Sequence, residues 1–417
     1  MRDRFRSLVR RGAWALLVLL VLAVVAWTVA NVVATCRFEA ALRRLQEGRY
    51  PTSLVGMASA QPAPGEDAAP YYTAALALHV KPPEDPDVEW EPEPPGMIAD
   101  MTPEQRAKLK TWMAANQEAF DMLTRARTRP RCRYAHDFTQ GYSMLLPEVT
   151  SILGLSRALQ VRAVLQSLDG EVAGAQESVR SILALGESVR EEPILVEQLV
   201  RFITVRLAMG TVDACVTGTT SEDELMAWSE LLPRDGFLDE AMPLAVRGEI
   251  GMIADTIAAG PRSDVDQMMV GMGGRVPGRL LQPLIRADAA RFLGMMRQAA
   301  EAYGKPYLEA RTDLGRIEGE ALDRRWWRPV CNSLLPAFRR TLERQTAVKA
   351  HVAVVRAGLG AELTRRKLGK YPDGLEATDP FTGKPLSLVA GKISSAGSAA
   401  EVLRNNEPVE WILRAKK

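Results

Sequence analysis

The chain has 417 residues, with 47% apolar and 25% charged side chains, too apolar for a disordered chain and sufficient for a folded core. The formal charge is +2, but the first 12 residues carry five arginines against one aspartate, so the remainder is close to neutral. A near-neutral body lacks the electrostatic footprint of a nucleic-acid binder, and four cysteines in so long a chain do not make a disulfide scaffold.

Residues 1–12 read as a basic tail. No charged residue then occurs between Arg11 and Arg37, and Ala13 to Ala34 is almost continuously apolar. Those 22 residues, at about 1.5 Å rise each, span a hydrocarbon layer of roughly 30 Å. The segment is read as an uncleaved signal-anchor helix, whose partner is the lipid bilayer. A cleaved signal peptide is the alternative, since small residues precede Asn31 and Thr35 at suitable spacing, but an apolar run this long exceeds the usual signal core. The arginines before the helix outnumber those just after it, so the tail is expected in the cytoplasm and the body outside, in a bacterial inner membrane.

Residues 35–103 read as a stalk followed by a proline-rich connector. Positions 37–47 continue the helix. From Gly48 to Pro103 the prolines remove backbone donors and disfavour helix, so extended chain is expected, apart from a short helix near Ala68–Val80. Residues 104–368 read as a helical ectodomain. Thr102 with Gln105, and Ser221 with Glu224, have capping-box spacing. Apolar periodicity marks helices near 147–168, 171–191, 193–216, 237–259, 279–303, 306–322 and 333–368. The 157–193 stretch, which turns at Asp169-Gly170, resembles the helix–turn–helix unit of tetratricopeptide-like repeats. Gly260 to Gly278 reads as a loop. It has no lysine and no preceding strand, so it is not a phosphate loop.

Residues 369–417 read as a small appendage of strands and turns. Asp379-Pro380-Phe381-Thr382-Gly383-Lys384-Pro385 is a turn sequence in which Asp379 can bond the backbone beyond it. Three stretches, at 65–78, 157–199 and 369–386, resemble a set of uncharacterised bacterial membrane-anchored proteins with helical bodies. The GKYP…DPFTGKP stretch is also similar to the C-terminal part of the major pseudopilins of type II secretion. That resemblance implies a long helix leading into a turn and a short sheet. The pseudopilin motif that opens the N-terminal helix is not present, and Ser394 to Ser398 replaces the acidic calcium-binding ending. Neither polymerisation nor calcium binding is therefore implied.

Chemistry-bearing constellations are sparse. The histidines are His79, His136 and His351, and no G-x-S-x-G, H-E-x-x-H or paired C-x-x-C motif occurs. Cys132 and His136 lack two further ligands for a metal site, and neighbouring His136 and Asp137 are not expected to face one site. Carboxylate pairs such as Glu191-Glu192 read as solvated faces. No catalytic, cofactor or metal residue is assigned. The most unusual cluster is Arg324, Arg325, Trp326, Trp327 and Arg328, a candidate partner-binding patch by composition. A structural Arg–Trp stack and a membrane-surface contact are its other readings. The sequence is thus read as an all-α, bundle-like or irregular tetratricopeptide-like body with a small C-terminal β appendage. Its expected role is a non-enzymatic envelope scaffold that binds a protein partner, without nucleic acid or cofactor. An accessory part of a secretion machine is the first alternative, and an envelope enzyme with scattered site residues the second. A pocket that joins His136 or His351 to carboxylates would favour the enzyme.

Overall fold

The computed structural model describes residues 2–57, 61–85, 88–91, 95–258, 278–321, 328, 330, 331, 337–398 and 409–413. It is all-α with one small sheet. Helix α1 (Arg2–Glu47) is the one described helix long and apolar enough to cross a membrane. Its two halves differ in surroundings. From Arg10 through Ala30 the helix stands bare, with Leu16 71% and Leu19 66% exposed, whereas Ala34, Phe38 and Leu45 are buried in the body.

Among its described residues the proline-rich segment is irregular chain broken by short 3-10 helices at Val55–Met57 and Pro95–Asp100 and by one α-helix, and it lies against the body. Leu54, Val88 and Ile98 are buried along it. Within it α2 (Ala69–Leu78) packs on α4 (Gln117–Ala126). Helix α3 (Pro103–Ala115) opens with the reciprocal cap expected of Thr102 and Gln105.

Three helices form the centre of the body: α5 (Pro147–Leu168), α6 (Val172–Glu187) and α7 (Leu195–Cys215), each packed on the other two. The α5–α6 turn closes through Gly170, whose φ of 83° suits glycine. There the Glu171 amide donates to the Gln166 carbonyl and the Gly170 amide to Ser167, so two carbonyls at the helix end gain donors. Ser221 and Glu224 likewise form the expected capping box at the start of α8 (Glu222–Leu231).

Helix α9 (Ala241–Ala258) packs on α10 (Gly278–Tyr303), which also runs along the second half of α1. Three side-chain contacts hold that junction. Trp27 Nε1 donates to the Leu280 carbonyl at 2.9 Å, and Arg286 Nη1 donates to Thr35 Oγ1 at 2.7 Å and to Asn31 Oδ1 at 3.4 Å. Helix α11 (Tyr307–Ala321) packs on α12 (Phe338–Leu368), which ends at Gly369 in the left-handed region.

The appendage is a three-stranded antiparallel sheet of β1 (Ser387–Val389), β2 (Lys392–Ser394) and β3 (Glu410–Ile412). Trp411, opposite Ile393, packs its ring over Gly358 of α12. Asp379 is buried and organises the turn before the sheet. Its carboxylate accepts from the Phe381 and Ala396 amides and from Ser395 Oγ at 2.8–3.0 Å.

Candidate functional site: a buried histidine–glutamate cluster

The chain from Arg131 to Phe138 is laid beside residues 66–68 by short backbone pairing. The Ala68 amide donates to the Arg131 carbonyl and the Arg131 amide to the Glu66 carbonyl. Asp67 Oδ1 also accepts from the Arg133 amide at 3.2 Å. In the segment that follows this pairing, Arg133 and Tyr134 are both buried. The Tyr134 hydroxyl meets Ser188 Oγ at 3.0 Å, and the Tyr134 and Phe138 rings flank His136 on two sides. Asp137 points away. It caps the following turn by accepting from the Thr139 amide and hydroxyl and from Gln140, and those bonds lower its pKa, led by Thr139.

Two helix starts bring carboxylates to the His136 ring. Pro147 opens α5, and Glu148 next to it turns inward. Ile194 precedes α7, and Glu197 in its first turn faces the same ring. The turn between α6 and α7 supplies a third carboxylate, Glu192. Gln198 holds this turn, since its Nε2 donates to the carbonyls of Val189, Arg190 and Glu192 at 3.0, 3.3 and 2.9 Å. On the other side, Gly248 of α9 sits so close that an added Cβ would lie 1.6 Å from the Pro193 carbonyl oxygen.

The geometry is compact. His136 Nε2 lies 3.3 Å from Glu148 Oε1 and 3.7 Å from Glu197 Oε1. His136 Nδ1 lies 3.4 Å from Glu192 Oε2, without the alignment of a full hydrogen bond. Glu192 Oε2 is also 3.0 Å from Arg133 Nη1. The side chains are 0–7% exposed. Both Glu197 oxygens, Glu192 Oε1 and Gln198 Oε1 accept no hydrogen bond from the protein. Buried polar atoms ordinarily find partners, so this concentration marks a chemically loaded spot.

Electrostatics follow from the crowding. Burial alone would lower the His136 pKa. The Glu148 hydrogen bond, the close Glu192 carboxylate and the charge of Glu197 overcome it and push the value up to about 10. Burial is also the largest influence on Glu197. His136 opposes it, Glu192 and Glu148 reinforce it, and the carboxyl is pushed up to about 9. The cluster can therefore hold protons tightly. One nitrogen and two carboxylate oxygens, from His136, Glu148 and Glu197, also lie within 4.8 Å of one another, a spacing that can hold a metal ion.

His136 is thus the histidine that meets carboxylates, through residues distant in sequence and not through Asp137 or Cys132. The half-buried Cys132 thiol is pushed well above its ordinary value, first by burial and then by Asp67 and the nearby glutamates. The expectation that Glu191-Glu192 forms a solvated face holds for Glu191 alone, because the turn before Pro193 points Glu192 into the core. A detectable signal was Glu197 itself, a carboxylate inside the apolar run Leu195-Val196-Glu197-Gln198-Leu199-Val200. His79 pairs with Asn116 Oδ1 at 2.8 Å, and His351 packs in α12 with its pKa lowered to about 4 by burial and then by Arg206. All four cysteines are free thiols. Arg324, Arg325, Trp326 and Trp327 lie outside the described residues, as do positions 260–277 of the glycine-rich loop. Arg328 is half-buried, with Nη1 3.5 Å from the Glu320 carbonyl. No family model, curated protein or solved structure matches the chain.

Proposed function

We propose that the protein is a membrane-tethered scaffold of the bacterial envelope. In this reading α1 spans the cytoplasmic membrane with its basic end inside, and the body outside binds a protein partner. The observation that carries the reading is the divided character of α1, bare over its apolar half and built into the core over the next turns. A hydrocarbon layer of roughly 30 Å measured outward from Arg11 ends near Asn31. Trp27 then lies at the outer interface, where indoles are favoured, and Arg286 reaches Asn31 and Thr35 at the level of the headgroups. The body is on this account seated on the membrane, without a free stalk.

The partner role is supported by a groove of about 850 Å³ between α12 and residues 372–380. Ala353, Ala357 and Leu375 give it an apolar lining, and Arg234, Lys349 and Arg356 a charged rim, a composition that suits protein contact. The His136 cluster favours an internal role over catalysis, because a substrate must touch the reacting group and Glu192 and Glu197 have no exposed surface. The test is fractionation of cells expressing the full chain, with external protease added to spheroplasts and affinity capture from solubilised membranes. The expected result is full-length protein in the alkaline carbonate pellet, a body cut from outside, and a reproducible protein partner. A soluble product beginning near Asn31 or Thr35, or a body shielded from external protease, would overturn the proposal.

A further inference from the structure

We propose that His136, Glu148 and Glu197 bind one divalent first-row transition-metal ion, with Glu192 and Arg133 as its outer support. The site goes beyond the scaffold role and does not depend on it. Ligand atoms about 2.1 Å from one ion lie roughly 3.0–3.5 Å apart in octahedral or tetrahedral arrangements. His136 Nε2 already stands 3.3 Å from Glu148 Oε1 and 3.7 Å from Glu197 Oε1. All three ligand atoms lie within 4.8 Å of one another, so an ion inserted among them would draw the two carboxylates toward the ring.

The ligand most in need of a partner is Glu197. Its side chain is fully buried, both its oxygens lack a hydrogen-bond donor, and Oε1 is directed at the imidazole. An ion there would satisfy an acceptor that the protein leaves unsatisfied. The remaining imidazole nitrogen has the outer arrangement that metal-bound histidines use. Nδ1 faces Glu192 Oε2 at 3.4 Å, and Arg133 holds that oxygen at 3.0 Å. A carboxylate behind the ring fixes its orientation and raises its basicity as a ligand.

Charge agrees with geometry. Glu148, Glu192 and Glu197 carry three negative charges when ionised, and Arg133 carries one positive charge. One divalent cation balances the remaining two with the imidazole neutral. The donor set also selects the class of ion. An imidazole with carboxylates suits zinc, iron or manganese, whereas calcium and magnesium prefer oxygen alone. The elements are joined by this arrangement. Glu148 stands at the start of α5, Glu197 at the start of α7, and His136 in the segment paired to residues 66–68. An ion would therefore crosslink the starts of α5 and α7 to the 131–138 segment.

The experiment uses the full-length protein in detergent, stripped with a chelator, dialysed, and titrated separately with Zn2+, Mn2+ and Co2+. We expect one equivalent per chain by elemental analysis, a rise in melting temperature, and a visible Co2+ spectrum of mixed nitrogen and oxygen ligation. Glu148→Gln and Glu197→Gln should each weaken binding at least about 10-fold. Glu191→Gln, at the exposed neighbour, should leave it unchanged. Should either ligand variant fail to fold, Glu192→Gln tests the outer support, with about 10-fold weaker binding expected. A folded wild-type protein that takes up none of the three ions stoichiometrically overturns the proposal. So does uptake that the folded ligand variants leave unchanged.

Discussion

Replacing Arg133 by methionine tests the electrostatic reading of the cluster. The Arg133–Glu192 pair is 3.0 Å apart, with side chains 4% and 0% exposed. At an effective dielectric constant of 20 their attraction is about 5 kcal/mol. Burial of the two charges offsets much of that, so the pair as a whole contributes little net stability. Removal of one partner is different, because Glu192 then keeps its burial cost and loses its counter-charge, typically about 3–5 kcal/mol. His136 Nδ1, 3.4 Å from the same oxygen, supplies partial compensation, so we expect the lower end, about 3 kcal/mol. Arg133→Met/Glu192→Gln removes both charges and should recover more than half of the loss. Urea unfolding of the detergent-solubilised protein, followed by circular dichroism, measures the four corners of this cycle. A single variant within about 1 kcal/mol of wild type, or a double variant no better than the single, would refute the buried-pair argument.

The other predictions are independent of that pair. In chelator-treated protein, His136 and Glu197 titrate near 10 and 9 when folded, against ordinary values of 6.5 and 4.5. The folded state then holds more protons than the unfolded chain between pH 6.5 and 9, so stability should fall as pH rises through that window, by at most about 1.4 kcal/mol per group per pH unit. A melting temperature that rises from pH 7 to pH 9 would contradict this. Arg286→Ala deletes the hydrogen bonds to Thr35 and Asn31 and should cost about 1–3 kcal/mol, with earlier proteolysis between α1 and the body; an unchanged digestion pattern would argue against that junction. Gly358→Ala places a Cβ about 2.4 Å from the Trp411 ring and should destabilise by about 1–3 kcal/mol, seen as faster trimming of the last residues by carboxypeptidase.

The helical plan was legible because its signals are local. Thr102/Gln105 and Ser221/Glu224 each sit within one turn and form the caps their spacing implies. The α5–α6 hairpin turns at the Asp169-Gly170 pair, where glycine accepts a positive φ. The Asp379 turn was legible for the same reason, since the carboxylate bonds the Phe381 amide two residues on. The histidine–glutamate cluster was not legible, because Glu148, Glu192 and Glu197 reach His136 only after α5, α6 and α7 have packed. Glu192 illustrates the difficulty. It differs from exposed Glu191 in side-chain direction, which the fold of the turn decides and composition does not.

The junction between α1 and α10 also bears on the order in which the molecule is made. Trp27 and Leu280 are 253 positions apart, and Thr35 and Arg286 are 251 apart. At about 5–20 residues per second, synthesis of that intervening length takes roughly 10–50 s. During this delay the Trp27 and Thr35 face of α1 lacks its α10 contacts, and on the proposed membrane-spanning reading lipid sets the depth of that end. Arrival of α10 then fixes the register of α1 against the body, so this contact closes only after more than half of the chain has been made.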